Sequence, residues 1–192
     1  MGFREWLARK RDINAADLTF DNFMGRFEFH DEEAKKIAIS NFAINFRKSY
    51  RLTKRVLTDL WFVPTTMLGG TAKDKIFEQI CRFMDEILKS LNEAQDKTIV
   101  IQAIHLGYAL GLFLGIVEYG LTAPPFSDLE KKKQRRIMNY VDNIKKKMVE
   151  LDKSVKPKII AKRFEKIARE HAGGLSAEQQ VLIGTIVEIF SS

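Results

Sequence analysis

The chain has 192 residues, 45% of them hydrophobic, a formal charge of +7 and a single cysteine, Cys81. That length suits one domain, 1–192, with a substantial core, and the hydrophobic share argues against wholesale disorder. One cysteine excludes an internal disulfide framework and cysteine-rich zinc sites, and it suits a reducing, cytoplasmic setting.

Only four prolines occur, at 64, 124, 125 and 157, and no sustained alternation of β-branched residues runs anywhere along the chain. The expectation is an all-α bundle of six to eight helices. The opening MGFREWLARKR has no apolar h-region, and Trp6 stands where a myristoylation pattern calls for Ser or Thr, so neither a signal peptide nor that acylation is expected. Residues 1–30 are rich in phenylalanine (LTFDNFMGRFEF) and read as one or two short helices.

The core helices are expected within 31–120. Asp31 caps the first, with Glu32 and Glu33 in its first turn. Its apolar stripe runs Ile39, Phe42, Phe46, Tyr50, Thr53, Leu57, Leu60, while Ile37 and Ile44 fall on the opposite side, predicting a helix covered twice in its first half. WFVPTTMLGG stops it. Thr71 caps the next helix, with Ile76, Ile80, Phe83, Ile87 and Leu91 inward and Cys81 beside them as a small buried hydrophobe. Asp96 is the expected cap of a third helix, ending near Gly120 before TAPPF.

That third helix contains glycines at 107, 111 and 115. Each costs about 1 kcal/mol of helix propensity relative to alanine, so the surroundings must offset the loss. The three share one face, leaving a groove on a helix that is apolar nearly all round. Three occupants compete: a neighbouring helix in the core of a bundle, a second helix inside a bilayer, or an apolar ligand with Glu118 or His105 as polar handle. The run Ile99–Val117 is nineteen residues without a formal charge, close to the ~20 needed to span. Against insertion stand Gln102, His105 and amphipathic helices on both sides, and packing against a neighbour is the preferred reading.

The C-terminal part, 126–192, is basic. Ser127 with Glu130 three later has capping-box spacing. The helix after it repeats Ile137, Val141, Ile144, Met148, Leu151 and Val155 as a heptad seam, with only short stretches of its own chain expected to cover it. That seam is the expected surface for a protein partner or for self-association. Pro157 suits the first turn of a following helix with Ile160, Phe164 and Ile167 inward. HAGG breaks the chain, and SAEQ opens the last helix with another capping-box spacing.

Catalytic signatures are missing from the pattern. No histidine has a carboxylate, cysteine or second histidine three residues before it or four after it, the spacings of the Glu-x-x-His and paired-histidine motifs of helical metal sites. GGTAKDK lacks the spacing of a phosphate-binding loop. No enzyme activity, cofactor or metal is expected.

Charge carries the strongest functional signal. Between 131 and 170 stand fifteen Lys or Arg against five Asp or Glu, a surplus of ten over a mildly acidic remainder. The candidate contacts are Lys131, Lys132, Lys133, Arg135, Arg136, Lys145, Lys146, Lys158, Lys162, Lys166 and Arg169. A smaller patch, Arg47, Lys48, Arg51, Lys54 and Arg55, lies on the early helix. Such stripes suit a phosphate backbone without sequence readout, since few Asn, Gln or aromatic residues are expected outward. The expectation is a non-enzymatic module contacting nucleic acid, as a subunit of a nucleoprotein assembly. The competing readings are a protein-interaction subunit using the seam, a membrane-associated protein inserting 99–117 with the basic segment on anionic lipid, and a merely solvated lysine surface.

Overall fold

The structure is a computed structural model that describes residues 32–62, 72–151 and 157–192. The expected short helices of 1–30, the caps at Asp31 and Thr71, and Val155 lie outside the described residues. The rest folds as an all-α bundle. Six helices follow in order: α1 (Glu32–Phe62), α2 (Ala72–Glu93), α3 (Ile99–Ile116), α4 (Lys131–Leu151), α5 (Pro157–His171) and α6 (Ala177–Ser191).

α3 is the central helix, buried on all sides from Ala109 onward, while Ile101 in its first turn is 39% exposed. Its most extensive partner is α1. A Cβ added at Gly107 would fall 2.9 Å from Phe42 Cα, and one at Gly115 would fall 2.6 Å from Thr53 Cβ. At Gly111 it would collide with the Phe46 carbonyl oxygen and the Ser49 hydroxyl. The glycine groove therefore seats the backbone of α1, with successive glycines against successive turns and the two helices parallel. Ser49 and Thr53 face this groove fully buried. Both satisfy their hydroxyls on their own helix: Ser49 donates to the Asn45 carbonyl at 2.9 Å and Thr53 to the Ser49 carbonyl at 2.9 Å. Short polar side chains that bond locally can be buried at little cost, which is why they suit a close approach of two helices.

The remaining faces of α3 meet the other helices. α2 packs antiparallel, with Ser90 Oγ 3.0 Å from His105 Nδ1. Phe113 meets Phe164 of α5 at 5.0 Å and Phe190 of α6 at 5.5 Å between ring centroids, and those two rings meet at 5.7 Å. Among the described residues Ile99–Leu121 is the one helix long and apolar enough to cross a bilayer, and 61% of its apolar window is buried by its neighbours.

Several expected boundaries shift. α3 begins after Thr98, not after Asp96, because Asp96 takes a left-handed backbone at φ 60° and closes the turn leaving α2. The helix ends in a widened turn, Val117–Leu121. Ser127 does not cap α4; it closes the short Pro124–Phe126 turn, and the helix starts at Lys131. The box at the last helix does form, with Ser176 Oγ accepting from Gln179 N at 3.2 Å and Gln179 Oε1 accepting from Ser176 N at 3.0 Å. Ile37 and Ile44, expected under a second layer, stay 45% and 40% exposed.

The heptad seam is occupied within the chain. Ile137, Val141 and Ile144 are 0% exposed and Met148 1%, and Leu151 packs half-buried on the same core. The expectation of an open seam fails because α2 and α6 both lie against α4. A partner or a second copy could reach these side chains only by opening the fold.

Candidate nucleic-acid interface

α6 stands between α4 and α5 and packs on both. Lys145 Nζ donates to Ser192 Oγ at 2.9 Å, at the end of α6, while Gln134 and Met138 line a groove with Val181 and Leu182 near its start. α4 and α6 therefore run in the same direction. The short Ala172–Gly174 turn reverses the chain between α5 and α6. The outer faces of α4, α6 and α5 form three neighbouring strips, basic, nearly uncharged and basic.

Ion pairing sorts the candidate cations. Lys133 is turned inward: it pairs with Asp74 and, at 3.5 Å, with Glu130, and its ammonium sits 5.5 Å from the Phe77 ring centroid. The hydrogen bond to Asp74 pushes its pKa up, so this lysine serves the α2–α4 contact. Arg136 is exposed yet lies over Phe77 at 5.8 Å and Tyr140 at 6.0 Å, a stacked position that favours guanidinium. Lys145 is engaged by Ser192, and Lys166 pairs with Glu170 at 3.7 Å. Lys131, Lys132, Arg135, Lys146, Lys158, Lys162 and Arg169 are exposed and have no acidic partner among the described residues.

Sequence reasoning passed over Arg163, which is exposed and likewise without an acidic partner among the described residues. It follows Lys162 in AKRFEK, but a helical turn of 100° per residue carries it to the flank of α5, away from the stripe centred opposite Ile160. The amides of α4 were also underrated: Asn139 and Asn143 are exposed on its outer face, and Gln134 and Asn139 border the groove.

Two grooves flank α6. Between α4 and α6 lies one of about 330 Å³, with Met138, Leu182 and Val181 as its apolar part and Lys131, Arg135 and Asn139 at its edge. Between α5 and α6 lies one of about 460 Å³, lined by Ala168, Leu175 and Val187 with Arg169 at its edge. Gly184 borders the second, with nothing within 4 Å of where a Cβ would sit.

The early patch is distinct. Lys48, Arg51, Lys54 and Arg55 are exposed on α1, whose main contacts are α3, α2 and the widened turn. Arg47 Nε donates to the Ala43 carbonyl at 3.3 Å, and Lys54 lies over the Tyr119 ring at 5.1 Å. At that end of the molecule Glu118 accepts from the Tyr50 hydroxyl, which also lies 3.2 Å from that of Tyr119. The groove beside Gly107, Gly111 and Gly115, where Glu118 or His105 would have been the polar handle for an apolar ligand, is filled by α1. Buried Gln179 fixes α6 to the widened turn, its Nε2 donating to the Leu121 carbonyl at 2.9 Å and the Ala123 carbonyl at 2.8 Å.

Comparison with known proteins adds nothing to these residues: no protein-family model, curated protein or solved structure matches the chain.

Proposed function

We propose that the chain is a non-enzymatic helical module that grips the phosphate backbone of nucleic acid through the outer faces of α4 and α5, as one subunit of a nucleoprotein assembly. One observation carries the reading. Seven candidate cations on those two helices (Lys131, Lys132, Arg135, Lys146, Lys158, Lys162 and Arg169) are exposed and lack acidic partners among the described residues, while the neighbouring lysines 133, 147 and 166 are paired. Cations kept for solubility are commonly interspersed with acids. An unneutralised set on two strips flanking α6 attracts a polyanion, and each phosphate it neutralises releases counterions.

The test is fluorescence anisotropy of labelled 20-mers at several salt concentrations. Binding whose logarithm falls steeply with log salt, and which the triple variant Lys158→Glu, Lys162→Glu, Arg169→Glu abolishes, supports the reading. No binding at low salt sinks it.

A membrane reading has the length and apolarity of Ile99–Leu121 in its favour. Insertion would strip α1 from the glycine face and expose buried Ser49 and Thr53, which weighs against it. Recovery of the protein in a detergent-free soluble fraction removes that alternative.

A further inference from the structure

The groove between α4 and α6 contains more than phosphate binding requires. Lys131 and Arg135 stand at its edge without acidic partners among the described residues, as a backbone contact needs. Its remaining lining is apolar and amide apart from Thr185, whose hydroxyl donates to the Val181 carbonyl at 2.9 Å. Val181 is 65% exposed beside Met138 and Leu182, the most exposed of the large hydrophobic side chains among the described residues. Gln134, which lines the groove, donates its Nε2 to the Leu129 carbonyl at 2.6 Å, and its Oε1 makes no hydrogen bond among the described residues. Asn139 is exposed and makes no hydrogen bond among the described residues, so it offers both a donor and an acceptor.

Apolar surface, an amide edge and two cations within one short groove match the parts of a nucleotide. A base has an apolar face and a hydrogen-bonding edge, and it is joined to a phosphate on either side. In a duplex the base faces are stacked and out of reach of so shallow a site. In a single strand one base can be turned out while its neighbours' phosphates stay on the cations. A volume of about 330 Å³ suits one such unit rather than a docked helix.

We propose that the α4–α6 groove takes one unstacked base of a single-stranded nucleic acid, with the flanking phosphates on Lys131 and Arg135. This rests on the backbone-binding reading above and adds to it a substrate class, single strand over duplex.

Anisotropy with four labelled probes tests it: a single-stranded 20-mer of RNA, the same strand in DNA, the DNA duplex, and a DNA strand abasic over its central positions. The expected result is at least about five-fold tighter binding of the base-bearing strands than of the duplex or abasic strand, the low end for one base contact because no aromatic ring lines the groove. Val181→Gln, at a position exposed enough to leave folding intact, reduces that preference below about two-fold while the salt slope stays. The double variant with Met138→Ala reduces it further. Equal, salt-sensitive binding of all four probes overturns the base site and leaves backbone binding standing. Absence of binding to every probe overturns both. A strand preference that survives in Val181→Gln and in the double variant places the base elsewhere. Equal affinity for poly-glutamate makes the groove a general anion site and overturns the proposal too.

Discussion

The Tyr50 hydroxyl donates a hydrogen bond to Glu118 Oε2 at 2.6 Å, tying the middle of α1 to the widened turn that ends α3. A carboxylate at a helix C-terminus faces the negative end of the dipole, and the phenol supplies compensation that no basic residue on α3 offers. Tyr119 adds its hydroxyl 3.2 Å from that of Tyr50 and its ring edge-on at 5.7 Å. Tyr50 also ends a stacked ladder on α1, with Phe42 to Phe46 at 6.0 Å and Phe46 to Tyr50 at 6.1 Å between centroids. Burial first, then the Glu118 carboxylate, push the Tyr50 phenol far above its ordinary range.

Removing that hydroxyl with Tyr50→Phe is expected to cost about 1–2 kcal/mol in urea unfolding, the range for a partly exposed bond to a charged group. The fold favours the protonated phenol, so its contribution is complete below the ordinary tyrosine value of about 10 and declines as pH rises above it. Stability of the wild type should fall with alkalinity above pH ~10, less steeply than the limiting ~1.4 kcal/mol per pH unit for one unscreened group. Tyr50→Phe should flatten that decline without abolishing it, because burial also raises the Tyr108 and Tyr140 phenols and the Cys81 thiol. An identical alkaline profile would show that Tyr50 is not held in this way.

Alanine distinguishes glycines that pack from one that does not. At Gly111 the new methyl meets a carbonyl oxygen of α1, and backbone cannot swing aside. Gly111→Ala is expected to lower stability by about 1–3 kcal/mol despite the ~1 kcal/mol gain in helix propensity. Gly184→Ala meets open space and should be neutral or stabilising by up to about 1 kcal/mol. Thermal or urea unfolding of both variants checks the contrast, and equal effects would contradict the close approach.

Gln179 is 1% exposed and bonds two carbonyls and one backbone N–H. Gln179→Leu should cost about 2–4 kcal/mol, since it leaves several buried backbone groups unpaired. Gln179→Glu should be worse at neutral pH, where a carboxylate would face two carbonyl oxygens, and should recover in part as acid protonates it. A Glu variant as stable as wild type at pH 7 would contradict the geometry.

Cys81 is 5% exposed, and burial pushes its thiol up. Thiolate, the reactive form, is thus scarce and shielded. Alkylation by a thiol reagent should be at least about ten-fold slower in the native protein than in urea; equal rates would place the thiol at the surface.

Helices with strong periodicity and clear breakers were legible in the sequence, α2 and α5 above all, because their apolar stripes leave one inward direction. Pro157 and Ser176 marked their helix starts correctly because each acts within a single turn. Asp96 misled because a cap and a left-handed turn residue share a side-chain chemistry, and the backbone path decides between them. Ser127 misled for a related reason: the box spacing was present, but Pro124 and Pro125 set a turn that uses the serine first. The glycines announced a close approach without naming the neighbour, which came from α1, roughly sixty residues away (Gly111 over Phe46 and Ser49). At the basic surface, the residue list was readable but the pairing was not. Lys133 and Lys132 are alike in sequence, and Asp74 and Phe77 of α2, with Glu130, set the first apart. The seam failed as a partner site because its covering helices come from both before and after it in the chain.

The most direct measurement compares two triple variants in salt-dependent binding of a single-stranded 20-mer. One removes free cations (Lys132→Gln, Arg135→Gln, Lys146→Gln) and the other removes paired ones (Lys133→Gln, Lys147→Gln, Lys166→Gln). Each phosphate contact on a single strand contributes about 0.7 to the slope of log affinity against log salt. The free-cation variant should therefore lose about 2 from that slope, and the paired variant close to nothing. Equal losses, or an unchanged slope in the first, would contradict the claim that these unpaired cations grip the backbone.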